Sequence, residues 1–278
     1  MKEFRLKQKR LKKIMNIFCI ITAVFMFVYI GVEPFLPDII GSVGTLCVGY
    51  AADVLVVVSV ALLFVYFSKY SKSDSFLKYI EYELSDCGCY FTSRQETSQN
   101  DYLRAVLDDL KSNGFSIETN VEIDGFNFDA RAIKGKELFY IVCDDEIDKN
   151  DVIAYQQSAI YDITAVNVKR KANAVMLYIC DNADNGAVSL SKAITPLGKK
   201  EQIKIANSIV ELSSKRCYFL GNKPTKCQQM IANYVMNCAL PIKDKFKLNE
   251  KLPFQYELEE HMKDFNIKDF NNGTFFAH

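Results

Sequence analysis

Apolar residues are arranged along this chain in two regimes. Residues 14–32 hold no charged side chain, and residues 46–67 are interrupted only by Asp53. At about 1.5 Å per residue in a helix, each stretch reaches roughly the 30 Å hydrocarbon thickness of a bilayer. The pattern therefore predicts a two-helix transmembrane hairpin over residues 14–67. Its link contains Pro34, Pro37, Gly41 and Gly44 and neither Lys nor Arg, as suits a short external turn.

Beyond Ser68 the periodicity becomes that of a soluble α/β chain. A juxtamembrane helix and linker are expected over residues 68–97, with Phe76, Leu77, Ile80 and Leu84 on one helical face. Ser98 and Asp101 resemble a capping box opening a helix whose stripe is Tyr102, Leu103, Val106, Leu107 and Leu110, stopped at Gly114. Phe115, Ile117, Val121 and Ile123 then alternate with polar residues. Asp124-Gly125 marks a hairpin turn, and Phe126, Phe128, Ala130 and Ala132 continue the alternation. The unbroken apolar run of residues 138–143 reads as a central strand covered on both faces.

A helix is expected over residues 151–168, a buried strand over 174–180 and a loop over 181–186. Further on, the pattern predicts a helix over 199–212, a short strand over 217–220 and a helix over 224–240 opened by Pro224. The expected fold is an α/β (α+β) soluble domain over residues 98–240, preceded by the transmembrane hairpin. Its mixed sheet contains an antiparallel three-strand meander and has flanking helices. Residues 241–278, charged and weakly periodic, read as a peripheral tail.

Charge changes the picture through its placement. Basic and acidic residues balance at 34 each, so no global field points to nucleic acid. Residues 1–13, however, carry Lys2, Arg5, Lys7, Lys9, Arg10, Lys12 and Lys13 against Glu3 alone, and Lys69, Lys72 and Lys78 follow the second apolar run. By the positive-inside rule both termini are expected in the cytoplasm, with the chain integral to the plasma or inner membrane. A cleavable signal peptide fits less well, because the run is long and no small-x-small site follows it. Asp53, about two turns from the outer end of its span, reads as a polar residue at the headgroup level.

Nine cysteines lack the spacings of a disulfide framework or zinc site, and this usage fits a reducing cytosol. The two histidines, His261 and His278, stand far from the strand-forming region, which disfavours a Cys-His or Ser-His nucleophile. No phosphate-binding glycine loop is present. The short basic clusters 169–171 and 199–200 read as solvated helix ends.

The order helix, three strands, helix, strand from Ser98 onward resembles the restriction-endonuclease-like core, with Asp129 on the second strand and Gln157 to Tyr161 echoing a Gln-x-x-x-Tyr element. The resemblance implies a metal-dependent nuclease in which Asp129 and Asp144 hold Mg2+ and Asp129, Glu137, Gln157 and Tyr161 form the catalytic set. The third strand departs from that pattern. Glu137 stands at its entrance, with Phe139 where the motif has lysine. The alternative for Asp129 is a solvated face shared with Asn127 and Arg131. The expectation drawn from the residues alone is a membrane-anchored, non-catalytic module. It binds or regulates an unidentified protein partner, without a cofactor and with scope for homo-oligomerisation; nucleic acid enters only with the nuclease alternative.

Overall fold

A computed structural model describes residues 1–167, 171–198, 202–221 and 225–273. The chain divides into two compact units, Met1–Ile80 with His261–His278, and Glu81–Glu260.

In the first unit, helix α1 (Lys2–Val32) is followed by a 3-10 turn (Glu33–Phe35) and helix α2 (Leu36–Ser85). The expected link is thus largely helical. Its break falls at Gly41, whose φ of 73° lies where glycine carries no steric penalty. Residues 75–84 form no separate helix; they continue α2, because nothing between Ser68 and Asp74 removes a backbone donor or forces a turn. The stretch Lys2–Ser85 is apolar and long enough to cross a membrane, and its most apolar window, of mean hydropathy 2.4, is 11% buried.

Helices α1 and α2 touch at several levels. Ser59 Oγ donates to Thr22 Oγ1 at 3.0 Å, both residues being buried. At Gly49 a side chain would meet the Tyr29 hydroxyl at 2.9 Å. Near the N-terminus, Asp74 takes an Arg5 hydrogen bond at 2.5 Å and a Lys12 bond at 2.8 Å, with Lys78 at 3.4 Å. Desolvation opposes the charge on Asp74, but the Lys12 and Arg5 bonds outweigh it and hold the carboxyl well below its usual range. Met262 and Phe265 are buried in this unit, and Phe265 packs against Phe4 and Phe76.

The second unit is built on an eight-stranded mixed sheet in the order β1-β8-β7-β5-β4-β3-β2, with β6 beside β7. The strands are β1 (Cys89–Phe91), β2 (Ser116–Ile123), β3 (Phe126–Lys134), β4 (Glu137–Ile147), β5 (Ala172–Ala183), β6 (Ile194–Leu197), β7 (Ile203–Glu211) and β8 (Arg216–Tyr218). Strands β2, β3 and β4 form the expected antiparallel meander, while β4, β5 and β7 run parallel. The β2–β3 turn has Asp124 and Gly125 both at positive φ, as an Asp-Gly hairpin requires.

Both faces of the sheet are covered. Tyr140, Val142, Met176 and Tyr178 pack under α4 (Lys149–Asn167) and α5 (Asn185–Leu190). Phe139, Ile141, Val175, Leu177 and Ile179 pack with Tyr102, Val106 and Leu110 of α3 (Gln99–Ser112) and with α6 (Lys226–Met230). Burial on both faces is why β4 and β5 read as unbroken apolar runs.

Three sequence expectations are corrected. Residues 203–211 are a central strand, not a helix: Ile205 and Ile209 face one core and Ala206 and Val210 the other, as the parallel ladder with β5 demands. The expected 224–240 helix is shorter. Thr225 caps α6 in a capping box with Gln228, and the helix closes in a π turn (Ile231–Val235). Residues 241–273 are not a peripheral tail. Leu252, Phe254 and Gln255 are buried in the second unit, where Gln255 donates to the carbonyls of Glu83 and Asp86; helices α7 (Pro253–His261) and α8 (Ile267–Asn272) lie in this stretch.

Candidate functional site

Strand β3 carries Asp129 at the point where its ladder with β4 ends, the last paired residues being Ala130 and Ile141. There the Asp129 side chain replaces a backbone partner, Oδ2 accepting from the Cys143 N–H at 2.7 Å. Asp129 is half-buried and engaged, not part of a solvated face. Arg131, two residues on, is covered as well. Its guanidinium donates to both Asp162 oxygens at 2.8 and 2.9 Å and to Glu118 at 2.6 Å, and Tyr140 Oη donates to Asp162 at 2.6 Å. Helix α4 supplies Asp162, which partly covers Arg131, while Asn127 of the same parity stays exposed.

Asp144, exposed at the far end of β4, accepts from the Asp145 N–H at 2.8 Å. Asp129 bonds to the residue before Asp144 along β4; burial first, then Asp144, Asp151 and Asp129, raise the Tyr155 hydroxyl above its ordinary value. Glu137 is elsewhere. It sits seven residues back from Asp144 along β4, about 23 Å at 3.3 Å per residue, and pairs with Lys226 at 2.8 Å. Gln157 and Tyr161 are exposed on α4. The neighbouring Gln156 is the one turned inward, donating to Thr195 Oγ1 at 2.7 Å and accepting from Asn207 Nδ2 at 3.3 Å. The nuclease set is therefore divided: Asp129 bonds to the residue before Asp144, Glu137 pairs with Lys226, and Gln157 and Tyr161 are exposed on α4.

One Asp129 oxygen is already committed to Cys143, and among the described residues no three His, Cys, Asp or Glu side chains are grouped to hold a metal. Thiol chemistry is equally unprepared. Burial pushes the Cys143 and Cys180 thiols up to about 12, away from the thiolate a nucleophile needs.

The carboxyl ends of β4 and β5 instead frame an open cleft of about 420 Å³, lined by Glu146, Asp148, Asp151, Asn182 and Asp184 with Ile147 and Ala183. The ends of parallel strands are where α/β sheets present binding crevices. Three of its acids have structural duties, Asp151 Oδ2 accepting from the Asp148 N–H at 2.9 Å. Asp148 Oδ1 accepts from the Asn150 and Asp151 N–H groups and caps α4; the Asp184 side chain accepts from the Ala187 N–H and caps α5. The cleft brings four carboxylates together, those of Glu146, Asp148, Asp151 and Asp184. The run Asp144 to Asp151 signalled it in the sequence, but Asn182 and Asp184 join only through the parallel register of β4 with β5.

The cation clusters 169–171 and 199–200 lie, except for Lys171, outside the described residues, as does His278. Comparisons with models of known families, with curated proteins and with solved structures found no match to this chain.

Proposed function

We propose that this protein anchors an α/β partner-binding domain to a membrane through a two-span N-terminal hairpin, with both ends of the hairpin on the cytoplasmic side. The observation that carries the reading is the outward face of α1 and α2, where Ile14, Ile20, Phe27, Ile30, Val43 and Phe64 are exposed over a stretch too apolar for water. Support for the orientation comes from the gathering of Arg5, Lys12 and Lys78 on the single carboxylate of Asp74, which leaves the cationic flanks of the two apolar runs at one level. A reporter fused after residue 278 is expected to be active in the cytoplasm, and one inserted at Gly41 outside it. The reverse pattern would remove the orientation, and two cytoplasmic reporters the spans.

For the domain, the reading is non-catalytic binding, regulatory in effect, with the acid-lined cleft as its contact surface and a cationic segment of a partner protein as its occupant. Charge reversal of Glu146 and Asp151 to Lys should abolish capture of that partner from membranes, while Gln157→Ala should not alter it. The second reading is a restriction-endonuclease-like nuclease. It draws support from the succession α3-β2-β3-β4-α4-β5, which follows the element order of that core, and from the bond of Asp129 to the residue before Asp144. Magnesium-dependent DNA cleavage by the purified chain that disappears in Asp129→Ala would favour it over binding.

A further inference from the structure

Buried polar groups on α1 and α2 are unevenly served. Thr22 and Ser59 bond to one another, whereas the Gln8 amide nitrogen and the Tyr66 hydroxyl are enclosed without a hydrogen-bond partner, in residues only 2% and 4% exposed. A buried donor left unpaired is costly enough to call for a missing acceptor.

The surroundings indicate what kind. Gln8 Oε1 accepts at 2.6 Å from the Arg5 nitrogen that also donates to Asp74, so the unpartnered amide belongs to the group built on that carboxylate. Lys12 and Lys78 approach the same carboxylate at 2.8 and 3.4 Å. Even with Arg5 left out of the count, two ammonium groups share one anion, and their side chains, 35% and 59% exposed, give the cluster its outward face. Tyr66 stands two turns from Asp74 toward the apolar run, its ring 5.4 Å from that of Tyr70. Donors and positive charge thus exceed acceptors, and the group that would balance them is an anion with several oxygens.

We propose that Gln8, Lys12, Tyr66 and Lys78 hold the headgroup of an anionic phospholipid. The inference rests on the membrane anchor proposed above, because the cluster lies where both apolar runs end, Lys12 just before Ile14 and Asp74 seven residues after Phe67. Anionic headgroups occupy that depth on the cytoplasmic side. Phosphate oxygens accept from Lys12, Lys78 and the Gln8 amide, and the ester oxygens, nearer the hydrocarbon, accept from Tyr66. Free phosphate shares the first chemistry but has no acceptor at the second depth. Both enclosed donors are covered in the free chain, so entry of the lipid parts the side chains above them.

The test is native mass spectrometry of the full chain in mild detergent, with equal phosphatidylglycerol and phosphatidylcholine added, and separately with inorganic phosphate alone. One phosphatidylglycerol per chain is expected, retained over phosphatidylcholine by roughly fivefold or more, with no retained phosphate. Gln8→Leu, Tyr66→Phe and Lys78→Gln should each lower its occupancy by roughly fivefold or more. Lys78 is exposed, so its variant keeps the test decisive should a buried one fail to fold. Equal occupancy by the two lipids, unchanged occupancy in a folded variant, or retention of inorganic phosphate instead of lipid would overturn the proposal. Alkaline extraction of the source membranes separates the two readings. A chain released into solution removes the anchor and this site with it; a chain that stays in the membrane yet shows no selective lipid overturns the site alone.

Discussion

The two units of this chain invert one another. In the unit built on the sheet, Phe139, Tyr140, Leu177 and Tyr178 are fully buried, and charged residues such as Asp144 and Glu146 are exposed. In the unit built on α1 and α2, Phe27 and Phe64 are 80% and 75% exposed, whereas Arg5, Gln8, Thr22, Ser59 and Asp74 are buried. The sheet unit follows the hydrophobic effect in water. Within the two apolar runs the arrangement is the opposite, Thr22 and Ser59 bonding inside while apolar side chains face outward, as expected where the surroundings are themselves apolar.

The largest expected effect tests the inversion directly. Phe139→Ala should destabilise the sheet unit by about 3–5 kcal/mol, the usual cost of truncating a buried aromatic, read by chemical unfolding of the intact chain. Phe27→Ala should change stability by no more than about 0.5 kcal/mol, as for an outward position. Equal costs would break the comparison. Next comes Asp74→Ala, which strands the buried Arg5 and the Lys12 beside it and should cost about 3 kcal/mol, visible as proteolytic opening of the helical unit.

The same carboxylate gives a pH dependence. Because its folded value is lowered, its contribution is complete above the unfolded value and is lost as pH falls below about 4. Opening should therefore increase toward acid, and this pH dependence should be absent from Asp74→Ala, which is open throughout. On the sheet side, Asp129→Ala leaves the Cys143 N–H without its partner, a loss of about 1–2 kcal/mol. The smallest effect belongs to the helix cap, where Thr225→Ala should cost about 1 kcal/mol in a thermal melt.

How much of this was legible depended on whether an element's environment left a periodic mark. The β2–β3 hairpin did, through Asp124-Gly125, and so did β4 and β5, whose double-sided burial left continuous apolar runs. Strand β7 is equally central but carries buried Asn207 and Ser208 among its apolar residues, and the resulting intervals of three and four imitate a helix. The C-terminal stretch misled for another reason: its few anchors, Leu252, Phe254 and Phe265, are separated by charged residues that remain on the surface.

At the site, Asp129 was locatable on its strand but its acceptor role was not, because strand register decides that Cys143 stands opposite. Register also decides that Glu137 faces Lys226. Asn182 and Asp184 belong to the cleft only because β5 lies parallel to β4, a pairing that no local pattern encodes.

The most direct test of the inversion is the partition of the intact chain between membrane and solution at alkaline pH. Expressed in cells and extracted with carbonate, the chain is predicted to remain wholly in the membrane pellet and to be released only by detergent. Its appearance in the carbonate supernatant, folded and monodisperse without detergent, would contradict the account.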